Sequence, residues 1–170
     1  MTIARNAEPS RQALLGIYLN DHLAGATAGL ALVRRMVRSH DGQDYADQLQ
    51  RLAVEIDQDR AALLRIMGSL GVTVRAYKVG AAWLGEKAGR LKFNGRLLAR
   101  SPLSDLEELE MLRLGVEGKA AGWRTLRTQA KTDPRLNAGR LDDLIDRARR
   151  QVDELEELRI RAADRLTSQP

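Results

Sequence analysis

"SHDGQD", residues 39–44, interrupts two long stretches that otherwise read as continuous helix. Ahead of it, Leu15, Tyr18, His22, Ala26, Gly29, Val33 and Met36 recur every three or four residues. Behind it, Tyr45, Leu49, Leu52, Ile56, Asp59, Leu63, Ile66 and Leu70 do the same. That spacing puts each set on one face of a helix. The break itself is made of turn residues, and Asp41 or Gly42 can open the second helix. So short a link leaves two long helices only one arrangement, an antiparallel hairpin. Helices are therefore expected over 10–39 and 42–70, with "GSLGV" (68–72) closing the second.

The pattern recurs in the second half of the chain. Leu109, Leu112, Val116, Ala120, Trp123 and Leu126 form one stripe; Leu141, Leu144, Ala148, Val152, Leu155, Leu158 and Ala162 form another. Pro9, Pro102 and Pro134 suit the first turn of a helix, where the missing N–H costs nothing. Ser101 and Asp133, each just before a proline, suit the N-cap. Helices are expected over 102–130 and 134–166, again as a hairpin. Residues 71–101 join the two hairpins. They are numerous enough to traverse a bundle roughly 45 Å long and are expected to be partly helical. The fold class expected is all-α, a four-helix bundle in a single domain over residues 1–170.

Composition supports this. Ala, Leu, Arg, Glu and Gln dominate, aromatic residues are few, and no stretch alternates with period two. There is no cysteine, which excludes disulfides and thiolate metal sites. No apolar run approaches the roughly 20 residues of a membrane span, and "MTIARNAEPSRQ" has no hydrophobic segment of signal-peptide type. A cytoplasmic protein is expected. Arginine outnumbers lysine 23 to 5, and the net charge is +5.

Three motifs carry a resemblance: "YLNDHLAGATAGLALVRRM", "GEKAGRLKFNGRLLARSPLSDLEELE" and "GVEGKAAGWRTL". Together with two hairpins and one long crossover, they resemble an uncharacterised family of bacterial ferritin-like proteins. The resemblance covers nearly the whole chain and implies a fold, not an activity. Ferritin-like di-iron proteins take one Glu from each of two helices and Glu-x-x-His from each of the other two. This sequence departs from that pattern. Its only histidines are His22 and His40; helix 2 offers Glu55-Ile-Asp-Gln58, helix 3 has Glu110 and Glu117, and helix 4 has Asp143, Asp146, Arg147 and Arg150. The usual di-iron ligands are missing, so no catalytic residue and no cofactor is expected.

Polar residues on the helix stripes still need an explanation. If the first hairpin turns near residue 41, His22 and Asp59 lie side by side. The same construction around residue 132 sets Glu117 opposite Arg147. A buried charge must be paired, so His22, Asp59, Glu117 and Arg147 are expected to form a buried polar layer that fixes register. The alternative is a nonstandard metal site built from His22, Asp59 and Glu117 with Glu55, one imidazole among carboxylates. Arg147 would oppose a cation there. Gly25, Ala26, Ala28 and Gly29 permit a close helix approach, either within the bundle or at a dimer face.

The crossover carries the charge. Residues 75–100 hold seven cations, Lys87, Arg90, Lys92 and Arg96 among them, against the single acid Glu86. Trp83, Leu84, Leu91, Phe93, Leu97 and Leu98 interleave with them. The run reads either as solvated charge on an anchored crossover or as a docking surface for an acidic protein or anionic surface. No helix-turn-helix or aromatic platform supports specific nucleic-acid binding. "GAAWLGEKA" (80–88) lacks the Ser or Thr and the preceding strand of a phosphate-binding loop. The expected function is a non-catalytic interaction or scaffold bundle, self-associating or using the basic crossover. The alternative is a metal-binding or redox bundle.

Overall fold

A computed structural model describes residues 10–40, 45–75 and 102–167. These form four helices and no strand: α1 (Arg11–Ser39), α2 (Ala46–Ser69), α3 (Pro102–Gln129) and α4 (Ala138–Thr167). Cross-helix contacts give their senses. Gln12 near the start of α1 donates to the carbonyl of Leu70 just beyond α2, and Arg34 near the end of α1 pairs with Asp57. On the other side, Arg127 pairs with Asp142 and Arg113 with Glu156. α1 and α2 run antiparallel, as do α3 and α4. Across the bundle, Tyr18 donates to Thr125 and Arg35 reaches Glu108, so α1 also opposes α3.

The helix ends have local causes. Ser10 caps α1, its hydroxyl accepting from the Ala13 N–H at 3.2 Å. α2 ends in a Schellman motif: Gly71 N–H donates to the Gly68 carbonyl and Val72 N–H to the Met67 carbonyl. Gly71 has φ 67°, a left-handed conformation that favours glycine. Buried Val72 and Met67 supply the apolar contact that accompanies this motif. Asn20 on α1 then holds the outgoing chain. Its Nδ2 donates to the Thr73 carbonyl and its Oδ1 accepts from the Arg75 N–H.

The start of α4 departs from expectation. The helix begins at Ala138, not Pro134. Asp133, expected to cap it, instead opens a β-turn with Pro134 at the second position, and Leu136 N–H returns to the Asp133 carbonyl at 3.1 Å. The Asp133 carboxylate accepts from Arg135 N–H and from its guanidinium. The cap is Asn137, whose side chain accepts from Arg140 N–H at 2.9 Å. α2 starts at Ala46 rather than 42, and residues 41–44 of the intervening link lie outside the described set.

The core is aliphatic and spans all four helices. Leu49, Leu52, Ile56 and Leu63 from α2 meet Leu109, Leu112, Val116 and Leu126 from α3 and Leu141, Ala148, Leu155 and Leu158 from α4. In α1 the buried apolar positions are Leu19, Leu23, Leu30, Val33 and Met36. Tyr18, His22, Ala26 and Gly29, expected on the core stripe, are only half-buried. They turn toward α3 instead. No helix among the described residues is long and apolar enough to cross a membrane.

Candidate functional site

Two features occupy the middle of the bundle at similar depth. The first is a buried polar cluster between α2, α3 and α4. Asp59 is 1% exposed. Its carboxylate binds Lys119 Nζ at 2.5 Å on one oxygen and Arg147 on the other, with Arg147 Nε at 2.8 Å and Nη2 also in contact. Gln151, equally buried, completes the cluster. Its amide nitrogen donates to Glu55 at 2.8 Å and to Asp59 at 3.3 Å, and its amide oxygen accepts from Lys119. Burial lowers the Lys119 ammonium from its ordinary value of 10.5, and the neighbouring Asp59 carboxylate opposes that shift. Two acids and two cations thus balance within one hydrogen-bonded group.

The layer differs from the one expected. Between α1 and α2, Arg60 Nε donates to Thr27 and Arg34 pairs with Asp57, while Gln12 reaches the Leu70 carbonyl. His22 packs on Gly122 and beside Tyr18, and the cations that Asp59 binds are Lys119 and Arg147. In the second hairpin, Arg127 opposite Asp142 and Arg113 opposite Glu156 put residue 147 across from 122. Glu117 is exposed, and Arg147 reaches Asp59 instead. The second link is longer than expected, because α4 begins at Ala138, and that slides the register of α3 against α4 by several residues. Lys119 and Gln151 carried no sequence expectation. The only available signal was their spacing: Lys119 follows Val116 by three, and Gln151 follows Ala148 by three, both continuing a buried stripe.

The candidate metal ligands do not converge. Glu55 and Asp59 share the cluster, but His22 faces α3 and Glu117 faces solvent. Among the described residues no three His, Cys, Asp or Glu side chains gather as a metal would require. The carboxylates face an ammonium and a guanidinium instead.

The second feature is an elongated groove between α1 and α3, about 680 Å³ in volume. It runs from Tyr18 to Leu32 on α1 and from Met111 to Leu126 on α3. Gly25 and Gly29 line one wall, Gly115, Gly118 and Gly122 the other. His22 packs over Gly122 so closely that a Cβ there would lie 2.9 Å from its Cε1. Its ring stands edge-on to Tyr18, 4.5 Å between centroids. Burial lowers the imidazole from its ordinary value, and the nearby Asp21 carboxylate opposes this less strongly. Trp123 also lines the groove. It is 3% exposed, and its indole Nε1 is buried without a hydrogen-bond acceptor among the described residues. At the far end of α1, buried His40 places Nδ1 2.8 Å from the Met36 carbonyl and Nε2 3.1 Å from Asp105, tying α1 to α3.

The basic positions Lys87, Arg90, Lys92 and Arg96 lie outside the described residues. No family model matches the chain, and neither a curated protein nor a solved structure does.

Proposed function

We propose that this chain is a ferritin-like four-helix bundle acting as a non-catalytic interaction or scaffold protein of the cytoplasm. The helix senses support the fold. α1 opposes α2, α3 opposes α4, and α1 opposes α3, so α2 and α3 point the same way. The chain therefore leaves α2 at one end of the bundle and enters α3 at the other, the connectivity of two hairpins and one long crossover. The observation that carries the function is the engagement of Asp59 by Lys119 and Arg147. Ferritin-like enzymes direct carboxylates from facing helices at metal ions in the bundle core. Here protein cations supply the positive charge. Binding to an acidic protein or anionic surface is assigned to the basic run around Lys87, Arg90, Lys92 and Arg96, on charge alone.

Metal analysis after mild purification tests the central claim. The expected result is no stoichiometric iron, manganese or zinc. About one ion per chain, lost in Asp59→Ala, would establish the metal-binding alternative. In the same preparation, Lys87→Gln with Arg90→Gln and Lys92→Gln is expected to weaken retention on a polyanionic resin and to leave the helical content intact. Unchanged retention removes the basic run from the function.

A further inference from the structure

A second cavity lies at the end of the bundle where α2 finishes and α4 begins. Its volume, about 530 Å³, falls within the range of ligand pockets. Four arginines line it: Arg65 on α2, Arg135 in the turn before α4, and Arg140 and Arg147 on α4. Asp143 is the one acid among the lining residues. Arg140, Asp143 and Arg147 are three and four residues apart, so one face of α4 presents all three. Beneath this charged rim the floor is apolar, with Ala62, Leu141 and Leu144 buried.

The four guanidiniums are not equivalent. Arg147 is engaged by Asp59 and reaches Gln58. Arg135 is held by Asp133 and donates to the Leu70 carbonyl at 3.3 Å. These contacts fix two guanidiniums in place and leave each with donors to spare, since a guanidinium carries five N–H groups. Arg65 and Arg140 are exposed, and neither side chain has a carboxylate partner among the described residues. The surplus charge at the cavity is therefore theirs, set against Asp143.

A cleft rimmed by charge of one sign concentrates counter-ions within it. The planar guanidinium fork is permanently charged and matches two phosphate oxygens at once, so arginine favours phosphate. Two uncommitted guanidiniums opposed by one carboxylate favour an anion of two or more charges over a monoanion. The apolar floor and the volume leave room for an organic body beyond the phosphate oxygens. We infer that the cavity between the end of α2 and the start of α4 binds a small organic phosphate of nucleotide size, carrying two or more negative charges and held by Arg65 and Arg140 beside the fixed Arg135 and Arg147. The site involves neither metal content nor the basic run around Lys87 and Arg90, so it stands or falls apart from the function proposed above.

ADP and adenosine provide a matched pair of probes, one organic body with and without the phosphate charge. Calorimetric titration of each into the full chain, without added magnesium, tests the site. ADP is expected to bind saturably, about one per chain, with a Kd below about 1 mM. Adenosine should show no saturable binding. Arg65→Gln with Arg140→Gln should weaken ADP binding at least about tenfold, and the circular dichroism should stay helical because both side chains are exposed. Asp143→Asn removes the opposing carboxylate and should tighten ADP binding. Lys87→Gln with Arg90→Gln and Lys92→Gln should leave it unchanged. Four results overturn the inference: no saturable ADP binding, equal binding of adenosine, undiminished binding by the Arg65 and Arg140 pair, and loss of binding in the Lys87, Arg90 and Lys92 variant, which would place the anion on the basic run instead.

Discussion

The α2–α4 seam and the α1–α3 seam cross the middle of the same bundle and solve the same problem in opposite ways. Both must fill the space between two helices. The α2–α4 seam fills it with long charged side chains from three helices that neutralise one another around Asp59. The α1–α3 seam uses glycine and alanine at mid-bundle and leaves a groove there, with His22 packed on Gly122. The first seam is closed and its members depend on one another. The second is open, and additions to it are tolerated at some positions and resisted at others. A buried polar layer fixes which helices meet; a small-residue wall fixes how near they come.

That contrast predicts the largest mutational effect at Asp59. Asp59→Leu removes the one acceptor shared by Lys119 and Arg147 and leaves two cations facing an apolar side chain. Lys119 is 12% exposed and Arg147 24%, so both recover some water, and Arg147 retains Gln58. The expected loss is about 3 kcal/mol, the lower end for breaking a buried pair, which at this chain length lowers Tm by roughly 10 °C. Combining Asp59→Leu with Lys119→Met and Arg147→Met should restore most of that loss, because apolar replacement of a whole buried cluster is close to neutral. Urea denaturation of the parent chain, the three single variants and the triple variant checks it. Strictly additive losses would mean that the three residues act separately and that the seam is wet.

Along the open seam, substitutions of the same kind should differ in sign. Gly118→Ala adds a methyl group into empty space and removes a poor helix former, so it is expected to stabilise by up to about 1 kcal/mol. Gly122→Ala places its methyl group 2.9–3.3 Å from three atoms of the His22 ring. The ring must move, and overpacking of this kind costs about 1–3 kcal/mol, outweighing the gain in helix propensity. Paired thermal melts of the two variants decide the matter. If Gly122→Ala stabilises as well as Gly118→Ala does, the imidazole is not held against α3.

The two seams were also unequally legible in the sequence. α2, α3 and α4 place large aliphatics every three or four residues between charged ones, so their buried faces are readable, and Asp59 stands out as an acid on such a face. α1 offers "GATAGLA" over 25–31, where every position is small or apolar and no contrast separates the core side from the groove side. The expected stripe holds at Val33 and Met36, but ahead of them it runs through His22, Ala26 and Gly29, while Leu19, Leu23 and Leu30, about one residue around the helix, are the buried ones. Asp59 and Arg147 both belong to the expected buried layer, but their pairing, and the part of Lys119 and Gln151, is hidden for another reason. A hairpin construction only compares residues within one pair of helices, and Lys119, Arg147 and Gln151 all come from the other pair. Which oppositely charged groups meet across a bundle depends on how the two hairpins dock, and local spacing does not encode that.

The smallest expected effect distinguishes the two seams by pH. His22 has its imidazole pKa lowered from 6.5, by burial first and against the pull of Asp21. The unfolded chain therefore binds a proton at His22 more readily than the folded one. Above pH 6.5 both states hold it neutral and it contributes no slope. As pH falls below 6.5 the unfolded state gains its proton first, and folding stability declines until pH passes the lowered folded value. Lys119 has the same sign in a different window. Its burial disfavours the charged form, so that cost is present at neutral pH and is relieved only as pH rises through its lowered folded value toward 10.5. A slightly acidic titration thus reads the open seam without disturbing Lys119. His22→Gln should flatten the stability profile between pH 6.5 and pH 5 relative to the parent chain, while Lys119→Met should leave that part of the profile unchanged. If His22→Gln keeps the acid slope, the His22 imidazole is not the group whose protonation the fold resists.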